Sequence, residues 1–553
     1  MSVARSSLLM ASGTVISRVL GFARAVLLAA MIGVTTDAAD AFGVANQLPN
    51  NVYAIIVGGV LNAVLVPQLV RAHSHSDGGR GYIDRLMTLA IVVFGSITIV
   101  ATAAAPLLVQ LYTSGWKPEL LALATAFAYW CLPQLFFYGI YSMLGEVLNS
   151  RSAFGPFMWA PVLNNLVALA GMVAYIVVFG MDPTGSRAVS SWGTGQVTLL
   201  AATATAGVAA QALILFVSWR RIGLHFKFNF QWRGFGLRPA LKAASWTLAM
   251  VVVTQLAGLV QTAVASTAAT NRSSVAVASI AAASIAWLIF MLPHSVVTVS
   301  VATAYFTKIS QHAHAGRLAD LKTDVLSGLK TIALVSLLAS AALIVLAYPA
   351  ARVFVGEYPA TIALGNVIMA LMIGLLPFSF SYFLQKAFFA LEDTRTPFFI
   401  TLAQSVLYVV GALMIGATVP AQSLVVALSL MTSASVTLQA VLAYVVLRRR
   451  IGSLGGGLFL AIIRFAVAAA VAAAAGFGTL QLLGGTGVGA PAVRSVLGAV
   501  LCSGGSAAVM LLVFALALWV LRAPEFRLLT GFLAAAGKRF ANLVSGRRRG
   551  SQK

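Results

Sequence analysis

Charge of either sign is scarce in this chain. Only 9% of its 553 residues are charged, and 13 of them are carboxylates. None of these acids pair within an apolar run at the spacing that general acid–base chemistry requires. Cysteine is scarcer still. Cys131 and Cys502 both fall inside apolar runs, which excludes a disulfide framework. The six histidines form no zinc-ligand pattern, and the near-pairs His73/His75 and His312/His314 read as solvated loop residues. Phosphate-cradling, dinucleotide-binding and serine-elbow motifs are missing as well. No metal, cofactor or catalytic residue is expected, and the chain does not read as an enzyme.

What is present is apolar length. Hydrophobic residues make up 60% of the chain, and the mean hydropathy is +0.95. A soluble helical protein would need polar faces that these segments lack. Fourteen segments are long enough to cross a bilayer, which takes about 20 residues. They are 6–33, 38–70, 86–112, 119–149, 155–180, 195–219, 242–270, 273–306, 324–350, 358–386, 396–418, 423–447, 457–484 and 494–521. The expected fold class is an all-α polytopic membrane protein with 14 transmembrane helices. The first segment is not a signal peptide, because Arg18 and Arg24 interrupt it and it continues too far.

The net charge is +23. With fourteen alternating spans, 27 of the 36 Lys and Arg residues fall on the side of the amino terminus. Five fall on the other side and four lie within spans. Loops rich in Lys and Arg stay cytoplasmic. The charge therefore reports membrane topology, with both termini cytoplasmic, and no nucleic-acid partner is expected. The tail 523–553 reads either as an interfacial amphipathic helix on anionic lipid or as a loose polar segment.

At a shift of 244 the chain resembles itself. Leu48-Pro49 meets Leu292-Pro293, Leu132-Pro133 meets Leu376-Pro377, and Arg151 meets Arg395. The matched prolines lie six spans apart. A six-helix unit begins and ends on one side, so its copy keeps the same orientation. Two parallel bundles related by an axis along the membrane normal are expected. Pro49, Pro133, Pro293 and Pro377 are hinge candidates, since proline removes a helix hydrogen bond. A static packing kink is the alternative at each.

The informative charges are in span one. An arginine at mid-membrane costs about 2.5–3.5 kcal/mol or more, so it usually faces a wet cavity or a partner. Arg18 and Arg24 lie about 120° apart around the helix at about 100° per residue. A cavity holding both would suit a phosphorylated ligand, because guanidinium forks match phosphate oxygens. Asn50 is a candidate amide donor there, or a local partner at the Pro49 kink. Arg24 and Asp40 are candidates for an outer gate. The alternatives are an Arg24 that snorkels and an Asp40 that simply starts a helix. Gly13, Ser17 and Gly21 form a small-residue stripe that would admit a neighbouring helix.

The stretch Ser17-Arg18-Val19-Leu20-Gly21-Phe22-Ala23-Arg24, followed by Asp40-Ala41-Phe42, Leu48-Pro49-Asn50 and Val66-Pro67, resembles the amino-terminal signature of the MurJ/MviN family. Leu292-Pro293-His294-Ser295 and Val299-Ser300-Val301-Ala302-Thr303 resemble that family's eighth span. The resemblance implies a two-lobed exporter of the MOP superfamily that flips lipid II, the undecaprenyl-diphosphate-linked peptidoglycan precursor, by alternating access. It implies lobes at 1–221 and 222–450, and a polyprenyl-tail groove in 451–522. It also places Arg18, Arg24 and Asp40 in a central cavity. Membrane lipids and cell-wall synthesis proteins are the other expected partners. The chain departs from the family pattern at Ala25, Tyr53, Ala54, Gly58 and Leu288, where many members carry charge. Other readings are a flippase for a different polyprenyl-linked glycan, a multidrug antiporter of the same superfamily, a membrane scaffold for cell-wall enzymes, and an enzyme acting on lipid carriers. The shortage of paired acids argues against the last.

Overall fold

The computed structural model describes residues 3–56, 80–151, 154–221, 223–224, 226–231, 237–270, 277–455 and 457–523. The tail beyond Ala523 and the second half of span two, with Val66-Pro67, lie outside them. Among the described residues there is no strand. The helices are α1 (Val3–Ile32), α2 (Asp37–Ile56), α3 (Arg80–Ala103), α4 (Ala105–Tyr112), α5 (Pro118–Cys131), α6 (Gln134–Ser150) and α7 (Phe154–Phe179). A 3-10 turn at Val189–Ser191 precedes α8 (Thr194–Arg221), α9 (Leu237–Thr270) and α10 (Ile280–Pro293). A π turn, His294–Thr298, leads into α11 (Val299–His314) and α12 (Leu318–Val345). Then come α13 (Ala347–Arg352), α14 (Tyr358–Met372), α15 (Leu375–Ala390), α16 (Arg395–Thr418), α17 (Ala421–Ile451), α18 (Gly457–Leu482), α19 (Pro491–Arg494) and α20 (Val496–Val520).

Twelve of the expected spans are helical segments long and apolar enough to cross a membrane. The pair α14–α15, bent by 44°, makes a thirteenth. The fourteenth begins as α2, and its continuation lies outside the described residues. The span count read from hydropathy is therefore consistent with the fold.

Several spans are broken, and the breaks repeat. In the first half, span three breaks at Ala104 and span four at Leu132-Pro133. In the second half, span nine breaks at Leu346 and span ten at Ile373-Gly374. Each broken span lies six spans from its counterpart, as a duplicated bundle requires. The proline signals act unequally. Pro133 separates two helices, whereas Pro49 stays inside α2. Pro293 closes α10 and is followed by the π turn, a form of helix irregularity frequent at functional sites. There His294 is buried, its Nδ1 lies 3.1 Å from Ser379 Oγ, and its ring packs on Phe378 and Tyr382. One expectation fails: His312 and His314 sit in the last turn of α11 rather than in a loop. The helix runs on past the apolar segment because polar side chains at its end can face water. His312 meets Asp324 at 2.8 Å.

The chain forms two compact units. One comprises Met1–Trp287, Ala351–Val367 and Thr394–Ser435; the other comprises Leu288–Ala350, Ile368–Asp393 and Val436–Lys553. In the first unit the small-residue stripe of α1 does what its spacing predicts. A Cβ on Gly13 would stand 2.8 Å from the Trp159 ring of α7. Asn165 Nδ2 on α7 donates to Ser17 O at 2.9 Å. Between α7 and α8 the approach is as close, for a Cβ on Gly207 would meet Asn164 O at 2.8 Å. Without Cβ atoms the backbones come together, and dispersion replaces the hydrophobic drive that lipid cannot supply. A buried cluster of Leu86, Met87, Met143, Leu144, Val147 and Trp219 joins α3, α6 and α8. In the second unit, α18 and α20 pack through Phe465, Ala468, Met510 and Phe514 onto Ala333 and Leu334 of α12.

Candidate functional site

The site is built on the first unit. Arg24, half-buried in α1, has Tyr138 of α6 and Cys131 of α5 as electrostatic neighbours. Tyr138 donates its hydroxyl to Gln134 Oε1 at 3.2 Å. Gln134 Nε2 donates to Asn46 Oδ1 on α2 at 3.3 Å and to Thr205 Oγ1 on α8 at 3.1 Å. Tyr53 of α2 hydrogen-bonds Ser142 of α6, and its ring lies 5.4 Å from that of Tyr138. Glu146 lies within electrostatic reach of Tyr53. A lattice of polar side chains thus links three helices, α2, α6 and α8, beside the Arg24 charge on α1. Its members nearest Arg24 are neutral, so they solvate a guanidinium without cancelling its charge.

The other candidate residues are placed as follows. Arg18 is exposed, one position along from the Ser17 face that contacts α7. Pro49 is buried and Asn50 beside it is exposed. Asp40 is fully buried. Its Oδ2 accepts from Ser279 Oγ at 2.5 Å, and its Oδ1 accepts from the Ala281 backbone N–H at 2.9 Å. Ala281 is in the first turn of α10, so Asp40 caps that helix from 241 residues away and meets its positive dipole end. The sequence suggested Arg24 as the partner of Asp40, but the contacts described here join Asp40 to α10.

Further contacts, from the sparsely basic end of these helices to their middle, tie the same parts of the sequence together. Trp116 Nε1 donates to Ser266 O at 2.9 Å, and the Ser114 N–H to Ser266 Oγ at 2.7 Å. Phe22 meets the edge of Phe354 at 5.2 Å. Gln255 of α9 reaches the Asn51 carbonyl at 2.7 Å. Together these contacts form a latch between α1, α2 and the 113–117 turn on one hand, and α9, α10 and Phe354 on the other.

Next to the latch, the loop after α7 is clasped onto the turn between α1 and α2. The Asp182 N–H donates to Met31 O at 2.8 Å. Asp182 Oδ1 accepts from the Ser186 N–H and hydroxyl, at 2.8 and 2.7 Å, and its Oδ2 from the Arg187 N–H at 2.9 Å. Arg187 in turn holds Tyr175 Oη at 3.0 Å and Phe179 O at 2.8 Å. Burial raises the Asp182 carboxyl, but these hydrogen bonds and the Arg187 charge outweigh it and hold the group below the usual carboxylate range. The clasp is thus at full strength above about pH 4, the unfolded value, and weakens as pH falls through the lower folded one. Protection of 182–192 against hydrogen exchange, taken relative to the intrinsic rate at each pH, should persist down to about pH 4 in the native chain. In Asp182→Asn exchange should be about tenfold or more faster at neutral pH, because the hydrogen bonds to Ser186 and Arg187 lose their charged acceptor, and a bond to a charged group contributes about 1.5–3 kcal/mol.

Reading the sequence alone missed Gln134, Tyr138, Asn46 and Ser279. A glutamine directly after the Pro133 break in an apolar span was the available signal. Ser279 carried none, because its partner is 239 residues away.

A sequence model of the family described as lipid II flippase MurJ matches residues 28–497. A probable lipid II flippase MurJ of Rhizobium meliloti (strain 1021) is 27% identical over 415 residues, 72% of each chain. One from Borreliella burgdorferi is 23% identical over 407 residues, covering 73% of this chain and 76% of that one. Among solved structures, an inward closed conformation of lipid II flippase MurJ is similar with a TM-score of 0.68 at 17% identity. That match covers 91% of this chain and 98% of the other. An inward-facing multidrug resistance MATE family transporter of the MOP superfamily is similar with a TM-score of 0.58 at 16% identity, covering 79% and 98%. These two likenesses are of fold.

Proposed function

From the premise that this chain belongs to the MurJ family of lipid II flippases, we propose how its residues carry out that family's task. The protein moves lipid II from the inner to the outer leaflet of the plasma membrane, with both termini cytoplasmic. It transports rather than catalyses. The six-span lobes are 1–221 and 222–450, and 451–522 receives the polyprenyl tail. The single observation that carries the site assignment is Arg24 beside a lattice of neutral hydroxyls and amides, with Tyr138 of that lattice as its electrostatic neighbour. A diphosphate supplies the anionic oxygens that such a guanidinium lacks. Arg18 and Asn50, both exposed, contribute further donors from α1 and α2.

In this reading the Asp40–Ser279–Ala281 latch is the outer gate. It is shut while substrate enters from the cytoplasmic side and must open for release. Breaks at Pro133 and Pro293 give the helices places to bend. Cell-wall synthesis proteins acting on the delivered precursor are the expected partners.

The test is complementation. In cells depleted of their own flippase, the chain should restore lipid II exposure on the outer leaflet and normal growth. Well-inserted protein that leaves lipid II inside would contradict the reading.

A further inference from the structure

Two grooves flank α5 near the sparsely basic end of the first unit. One, of about 480 Å³, lies between α5, the 3-10 turn and the start of α8. The other, of about 400 Å³, lies between α4 and α5. Both volumes fall within the roughly 300–1,000 Å³ usual for small-ligand sites. The grooves share Ala122, Ala126 and Tyr129, so the ridge between them is capped by two alanines one helical turn apart. Such a ridge is low enough for a branched ligand to straddle. Glu119 lines the first groove at its rim, in the first turn of α5, and makes no ion pair with any described residue. Ser190 and Thr194 add hydroxyls beside it. At the far end Tyr129 and Trp130 are 46% and 42% exposed, large for aromatic side chains with no cover.

The length of the groove identifies the ligand's scale. Eleven residues of α-helix separate Glu119 from Trp130, about 16 Å of rise at 1.5 Å per residue. That is about half of a hydrocarbon core of roughly 30 Å, or one leaflet. A rim bearing the Glu119 carboxylate, two residues beyond Lys117, and an apolar two-channel body one leaflet deep match a lipid with two chains and a cationic headgroup.

We propose that these paired grooves seat one two-chained phospholipid with an amine headgroup, taken from the leaflet on the sparsely basic side. Its chains lie on either side of Ala122 and Ala126, and its ammonium meets Glu119. The preference runs against the chain's overall charge of +23, which by itself favours anionic lipid. That opposition makes the site separable from nonspecific adhesion.

The test is native mass spectrometry of the full-length protein released from bilayers with equal phosphatidylethanolamine and phosphatidylglycerol. The wild type should retain one phosphatidylethanolamine over phosphatidylglycerol by up to about fivefold, the ceiling an exposed ion pair supports. Glu119→Gln, at an exposed position, should abolish that preference while leaving the lipid count unchanged. The double variant Ala122→Phe/Ala126→Phe should lose the retained lipid, with a melting temperature matching wild type. A wild type that retains no lipid, or an unchanged ratio in Glu119→Gln, would overturn the proposal. So would a lipid still held by the double variant.

Discussion

Replacing Arg24 by alanine is expected to cut delivery of lipid II to the outer leaflet by about ten- to a hundredfold without reducing the amount of folded protein. The magnitude follows from the contact that is lost. A hydrogen bond to a charged group contributes about 1.5–3 kcal/mol, and a guanidinium on a diphosphate can make two. The retained stability follows from the surroundings. Holding an arginine within a span costs about 2.5–3.5 kcal/mol. The neighbours Tyr138 and Cys131 are neutral, so alanine relieves more than it removes. The Gln134 bonds to Asn46 and Thr205 do not involve Arg24 and should survive. Arg24→Lys keeps the charge but not the fork, and should fall between the two. Lipid II accessible on the outer leaflet of depleted cells, normalised to inserted protein, measures all three. An alanine variant that transports normally would remove Arg24 from the mechanism.

The second large effect is expected at Asp40. Asparagine in its place keeps one acceptor oxygen for the Ala281 N–H but sets an amide against the Ser279 hydroxyl and removes the charge from the start of α10. Loss of a helix cap of this kind costs about 0.5–2 kcal/mol. Where that energy holds a latch, the open population rises by about two- to thirtyfold. A cysteine at Ala278, which is 2% exposed beside the latch, reports the change. Both native cysteines are buried, so a membrane-impermeant maleimide should react slowly in the Ala278→Cys background. The rate should rise by the same factor when Asp40→Asn is added. An unchanged rate would separate Asp40 from gating and leave it a helix cap alone.

The fold was legible in the sequence because hydropathy is a local reading. Twenty apolar residues announce a span wherever they occur. The Gly13, Ser17, Gly21 stripe was legible for the same reason, since helical spacing fixes its face. Breaks were legible where proline sits at the break itself, as at Pro133. They were not at Ala104 and Leu346, where the prolines Pro106 and Pro349 come two or three residues later. The site was legible only in part. Arg24 stands out because a charge in a span is rare. Its lattice of Tyr138, Gln134 and Asn46 does not, because hydroxyls and amides are common in apolar helices. The Asp40 contact illustrates the limit most clearly. Proximity along the chain pointed to Arg24, 16 residues away, whereas the fold supplies Ser279 and the Ala281 amide of α10 from a distant segment.

Direct binding of lipid II to the purified protein tests the central claim, that span-one guanidinium groups receive the diphosphate. Wild-type protein should bind lipid II saturably and lose affinity as salt rises. The Arg18→Ala/Arg24→Ala double variant should bind at least about tenfold more weakly, at an unchanged melting temperature. Equal affinity in the two proteins would contradict the account.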